Sequence, residues 1–225
     1  MNTVATSFTG REPNDRKTLV TDPFSNVLWI GGSPCTGKST IADHLAAETG
    51  AHVYRCDDAY FHHQDLTTAE RQPVFHRLAR ANCDEVWMRP VPRQIDEALA
   101  LYREEFSFIL ADLAAFEETT PVIVEGAALL PELVAALGVP THRALWLVPT
   151  EPFQREHYAR RQWRHEVLAS CADPDQAWEN WMARDAGFAR FVAADATTRG
   201  FRALTVDGTR SLADMVRLAE SWLRG

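Results

Sequence analysis

NVLWIGGSPCTGKSTIADHLAAETG, residues 26–50, reads as a strand, a glycine-rich turn and a helix in immediate succession. The apolar run 26–30 lacks alternation with polar residues, so it predicts a strand buried on both faces, as in a parallel sheet. Gly31 and Gly32 stop it. Beyond the turn, residues 39–50 place Ile41, Leu45 and Ala46 on one helical face and end at Gly50, a natural C-terminal cap. Between the two, Gly32, Ser33, Pro34, Cys35, Thr36, Gly37, Lys38 and Ser39 satisfy G-x-x-x-x-G-K-[ST] in full. Such a turn curls the backbone so that successive N–H groups point inward, and the helix that follows adds its dipole, which together suit phosphate. Lys38 is then placed for the β- and γ-phosphates of a nucleotide and Ser39 for Mg²⁺, with Thr40 on the helix surface or in minor contact. Cys35 reads as a small loop residue.

Outward from this stretch the pattern repeats. AHVYRC (51–56), PVIVEG (121–126), RALWLVP (143–149) and FRALTVDG (201–208) read as further strands, separated by helical segments, the last of them 211–223. Between residues 57 and 119 the chain reads as an acidic turn at Asp57 and Asp58 followed by helices near 66–82 and 93–117. A third helical block runs from Thr150 to about Thr198 with a break near 171–175. Alternating strands and helices predict an α/β fold with a parallel sheet, helices on both faces and ligands at the carboxyl edge of the strands. Residues 1–24 read as a flexible arm and 25–225 as one domain.

The composition excludes several classes. A formal net charge of −8 opposes nucleic acid, and the basic run at 155–165 is interrupted by Glu156. No apolar run approaches the length of a membrane span. The cysteines Cys35, Cys56, Cys83 and Cys171 form no CxxC pair, so neither a zinc site nor a disulfide framework is expected, and a reducing cytoplasm is the expected compartment. A monomer or homodimer is expected.

Carboxylates fall where a phosphate site needs them. Asp57 and Asp58 close the second strand and Glu125 closes the third, all on the carboxyl edge. Transfer of a phosphoryl group to a hydroxyl requires a carboxylate to accept or orient the proton, and another to anchor metal-bound water. Either aspartate can take the first role, and Glu125 the second or a substrate contact. Arg155, Arg160, Arg161 and Arg164 follow the fourth strand and are candidates to close over the phosphates, with Arg161 and Arg164 expected to share a helical face. The segment 57–119 is long for a crossover and is expected to build the acceptor pocket, with Tyr60 and Arg89 among its candidates. His62 and His63 read as surface, and Trp87 as core.

With these motifs in place, residues 26–224 resemble the nucleoside and small-molecule kinase branch of P-loop phosphotransferases, the uridine kinase-like and glycerate kinase-like proteins. Asp57-Asp58-Ala59-Tyr60 is similar to their D-D-F-Y element, and VIVEGAALL to their third strand. The resemblance implies a three-layer fold with sheet order 2-3-1-4-5, an acceptor-binding helical insertion over 57–119, a lid over 150–198, and an aspartate acting on the acceptor hydroxyl. It also implies that Asp207, Gly208, Thr209 and Arg210 form the wall for the base. Where such lids space two arginines, His157 here precedes Arg161.

The expectation is therefore an ATP- and Mg²⁺-dependent kinase of a small molecule bearing a hydroxyl: a nucleoside, sugar, hydroxy acid or antibiotic. Two alternatives remain open. A nucleoside monophosphate kinase predicts a second phosphate-binding arginine cluster, for which Arg71, Arg77, Arg80, Arg89 and Arg93 are available, and a nucleotide-binding regulatory ATPase predicts binding without acceptor turnover.

Overall fold

A computed structural model describes residues 24–223. The expected arm at 1–24 lies outside these, apart from Phe24, which is buried edge-on against Trp29. Five strands, β1 (Val27–Gly32), β2 (His52–Arg55), β3 (Val122–Glu125), β4 (Ala144–Pro149) and β5 (Arg202–Val206), form one sheet in the order β2-β3-β1-β4-β5. Every pairing is parallel. The α/β class, the strand positions and the order expected from the sequence are all present.

Strand residues alternate between two cores. Val27, Trp29, Val122, Val124, Ala144 and Trp146 face one side, where they meet Phe106 and Ile109 of α5 (Val91–Leu113) and Phe188 and Val192 of α9 (Pro174–Thr198). Ile30, Ile123, Leu145, Leu147 and Leu204 face the other, against Ile41 and Leu45 of α1 (Lys38–Thr49) and Met215, Val216 and Ala219 of α10 (Leu212–Leu223). Burying each such side chain contributes about 1.5–3 kcal/mol, which is why these strands show no polar alternation. α6 (Pro131–Ala136) lies between β3 and β4.

Between β2 and β3 the chain is helical but divided differently from the expectation. Asp57 and Asp58 are not in a turn: they occupy the first turn of α2 (Cys56–Leu66), where the helix dipole favours acids. The expected helix over 66–82 is replaced by an irregular stretch and α3 (Pro73–Leu78), which starts at a proline suited to a first helical turn. α4 (Cys83–Trp87) is closed by a capping box between Asn82 and Glu85. After β4, α7 (Glu151–Ala159) and α8 (Trp163–Leu168) are separated at residues 160–162, so Arg161 and Arg164 do not share one helix.

A disulfide joins Cys83 to Cys171, 88 residues apart, contrary to the reading of the cysteine spacing. Distance along the chain did not reveal it because α4 packs on the start of α9: Ala172 donates its N–H to Asp84 at 2.8 Å and Asn180 donates to the Trp87 carbonyl at 2.7 Å. The cysteine pattern therefore does not argue for a reducing compartment. Among the described residues, no helix is long and apolar enough to cross a membrane.

Candidate active site

Parallel register brings the candidate groups to one edge. Ile30 and Arg55 both lie beside Glu125, so the ends of β1, β2 and β3 deliver the glycine-rich turn, the first turn of α2 and the Glu125 carboxylate together. Gly32 leaves the sheet at φ 121°, and a Cβ there would collide with the Leu147 carbonyl, so only glycine lets the turn begin so close to β4. Cys35 takes a left-handed φ of 65°, a conformation that costs a non-glycine residue on the order of 1–3 kcal/mol and recurs at ligand-binding turns. Gly37, at φ 80°, starts α1 without a side-chain cap and with no acid in the first turn. The N–H groups of residues 35–40 donate to no acceptor among the described residues. An uncapped run of amides at a helix N-terminus is an anion site.

Side chains complete this end. Lys38 is buried and donates from Nζ to the Ser33 carbonyl at 2.7 Å. Burial holds its pKa below the ordinary lysine value, and Glu125 and Asp57 offset part of that. Ser39 donates to Glu125 Oε1 at 2.9 Å. Burial raises the pKa of Glu125, against the nearby Lys38 charge and the Ser39 hydrogen bond. Arg55 Nε stands 3.8 Å from the same carboxylate and also pairs with Asp43.

Three cavities meet the turn or its surroundings. The first, about 720 Å³, runs from Pro34, Cys35, Thr36, Gly37, Lys38, Ser39 and Thr40 past Asp57 and Glu125 to Arg161 and Arg184. The second, about 430 Å³, lies under α2 and α5 and includes Tyr60, Trp87, Arg89, Tyr102 and Glu105. Asp57, Tyr60, Trp87, Tyr102 and Arg184 line both. A third, about 710 Å³, joins Cys35, Thr36 and Gly37 to Asp207, Gly208, Thr209 and Arg210, with Phe153 and His157 stacked at 3.8 Å on its wall.

The structure thus separates candidates that the sequence left equal. Asp57 and Asp58 are both exposed, but Asp57 lines the first two cavities and Asp58 none of the three. Arg155 pairs with Glu151 and Glu179, and Arg160 with Glu156, and neither arginine lines any of the three cavities. Arg164 stacks over Trp178 at 4.5 Å. Arg161 makes no ion pair among the described residues; its guanidinium lies 5.1 Å from the Tyr158 ring, facing the first cavity. His62 is exposed as expected, but His63 is fully buried.

The sequence placed a helix at α9 but did not mark its residues as part of the site. Trp181, Arg184, Asp185 and Phe188 all line the first cavity, and Trp87 stacks on Trp181 at 4.6 Å instead of filling an unrelated core. Arg184 Nε lies 2.7 Å from Asp185, its guanidinium 4.8 Å from the Trp87 ring, and its Nη groups make no hydrogen bond among the described residues. Burial raises the pKa of Asp185, while Arg184, Tyr158 and Trp181 pull it down. The available signal was a charged pair inside the stripe Trp178, Trp181, Phe188. The chain matches no protein-family model and no curated protein.

Proposed function

We propose that the chain is a P-loop kinase that moves the γ-phosphate of ATP, with Mg²⁺, to a hydroxyl of a small molecule. One observation carries it: Asp57 lines both the cavity at the uncapped amides and the adjoining aromatic cavity, so a phosphate in one and a hydroxyl in the other would meet at a carboxylate. On this reading residues 57–119 are the acceptor-binding insertion and 150–198 the lid.

The amides of residues 35–40 and Lys38 hold the β- and γ-phosphates, and Asp207 to Arg210 with Phe153 and His157 flank the base. Ser39 and Glu125 offer a hydroxyl and a carboxylate already 2.9 Å apart, hard oxygen donors that fit Mg²⁺, with Glu125 acting through water. When bound, magnesium neutralises charge on the phosphate oxygens. Asp57 accepts the proton of the acceptor hydroxyl as its oxygen bonds to the γ-phosphorus and the bond to the bridging oxygen breaks, releasing ADP. Arg161 and Arg184 take up charge on the transferring group. Tyr158, Trp163 and Trp181 wall off water, so hydrolysis competes poorly.

A second reading, a monophosphate as acceptor, is favoured by one feature. Arg77, Arg89 and Arg93 converge on Glu97, at 2.8, 2.7 and 3.1 Å, near one end of the aromatic cavity. ADP release from Mg-ATP against nucleosides, monophosphates, sugars, hydroxy acids and aminoglycosides tests both. Stimulation by one class supports transfer and names the acceptor; tight ATP binding with no stimulated turnover points to a regulatory ATPase.

A further inference from the structure

The aromatic cavity contains a buried charge that the reaction above does not use. Glu105 on α5 is 1 % exposed and lines this cavity. Its Oε1 lies 3.1 Å from His63 Nδ1, and its Oε2 makes no hydrogen bond among the described residues. His63 meets Asp112 through Nε2 at 3.0 Å, and the same Asp112 oxygen accepts from the Tyr54 hydroxyl at 2.6 Å. A ring with a carboxylate at each nitrogen can donate to both only as imidazolium. Burial disfavours that charge on His63, but the two carboxylates outweigh burial and hold its pKa above the ordinary value. Burial raises the pKa of Glu105 and the His63 partner opposes this. Glu105 is thus a cavity-lining carboxylate held from behind through Oε1, which leaves Oε2 for another donor.

Carboxylates outnumber cations in the cavity. Three carboxylates, Asp57, Glu97 and Glu105, line it with two guanidinium groups, Arg89 and Arg184. Arg89 is held on Glu97, together with Arg77 and Arg93, and Arg184 stands where the cavity joins the phosphate turn. A phosphate monoester beside Glu105 would meet carboxylates, because the one guanidinium of this cavity whose Nη groups make no hydrogen bond among the described residues, Arg184, stands at its junction with the phosphate turn. Hydrogen-bond donors would be welcomed by the same oxygens.

We propose that Glu105 is the specificity-determining residue of the acceptor cavity. Its Oε2 accepts from a second hydroxyl or an ammonium group while Asp57 accepts from the reacting hydroxyl. The acceptor is then an uncharged or cationic molecule with several hydroxyl or amino groups, and its phosphorylated forms are rejected. A volume of about 430 Å³ suits a sugar- or nucleoside-sized molecule. This inference rests on the kinase reading.

The test measures ADP formation from Mg-ATP with adenosine, uridine, glucose and kanamycin, each non-phosphorylated compound but kanamycin paired with AMP, UMP or glucose 6-phosphate. The expected result is turnover with at least one non-phosphorylated compound, at a kcat/KM at least tenfold above any phosphorylated partner. Glu105→Gln should raise the acceptor KM about tenfold with kcat changed less than threefold, and Glu105→Asp should recover part of the loss. Thermal melts show whether each variant is folded, and the wild-type preference stands as a test if Glu105→Gln is not. Preference for a phosphorylated compound, or an unchanged acceptor KM in folded Glu105→Gln, overturns the inference and leaves the kinase reading intact. No stimulated turnover with any compound overturns both.

Discussion

The glycine-rich turn takes its free donors from one unbroken stretch, residues 35–40, and most of them are backbone amides. The neighbouring cavity takes its lining from α2, α3, α4, α5 and α9, and the groups argued to meet a ligand there, Asp57 and Glu105, are side chains. The first is shaped by two left-handed glycines and a helix start, all local. The second exists only because helices distant in sequence pack together, with Trp87 on Trp181, Asn180 on the Trp87 carbonyl and a disulfide between them. A site of backbone groups is pre-organised by the chain itself, whereas a site of side chains depends on tertiary contacts and is the place where specificity can change.

That contrast can be broken most forcefully at Lys38. Lys38→Ala should lower kcat/KM for phosphoryl transfer about 10³-fold, the loss expected when one fixed donor to a developing charge is removed, with little change in thermal stability. A well-folded variant retaining full turnover would remove the phosphate turn from the mechanism. Asp57→Asn, at the junction of the two cavities, should cut kcat about 10²-fold while leaving the Kd for ATP within a few-fold. Asp58→Asn, at a residue that lines none of the three cavities, should stay within twofold, and a reversal of the two would exchange their roles.

On the cavity side the expected effects fall on stability. Cys83→Ser should lower the unfolding free energy by about 2 kcal/mol, read from urea titration, since closing a long loop restricts the unfolded chain. The turn offers no comparable cross-link to lose. The smallest effect is expected from His63, whose raised pKa stabilises the fold fully below the ordinary histidine value near 6.5 and loses that contribution as pH rises through the raised one. The groups facing it are Glu105 and Asp112, with Tyr54 behind Asp112. Urea midpoints should therefore fall with rising pH across that window, and His63→Asn should flatten the dependence.

The same contrast explains what could be read from the sequence. Strands β1, β3 and β4 are continuous apolar runs because both faces are covered, and the glycine-rich turn is written in adjacent letters, so the fold class and the position of that turn were legible. Asp57 and Asp58 looked like turn residues because acids favour both turns and helix starts, and nothing between β2 and α2 marks which applies. His63 looked like surface because its partners, Glu105 and Asp112, lie 42 and 49 residues further along. Arg184 escaped notice for a similar reason: its meaning comes from Trp87, which reaches it only through the packing of α4 on α9.

The bond between Cys83 and Cys171 also makes a covalent ring of the chain between them, and that ring contains α5, β3, β4 and α7. A protease that cuts once anywhere inside the ring leaves the two fragments attached, so the nicked protein migrates near full length until it is reduced and then separates into two bands.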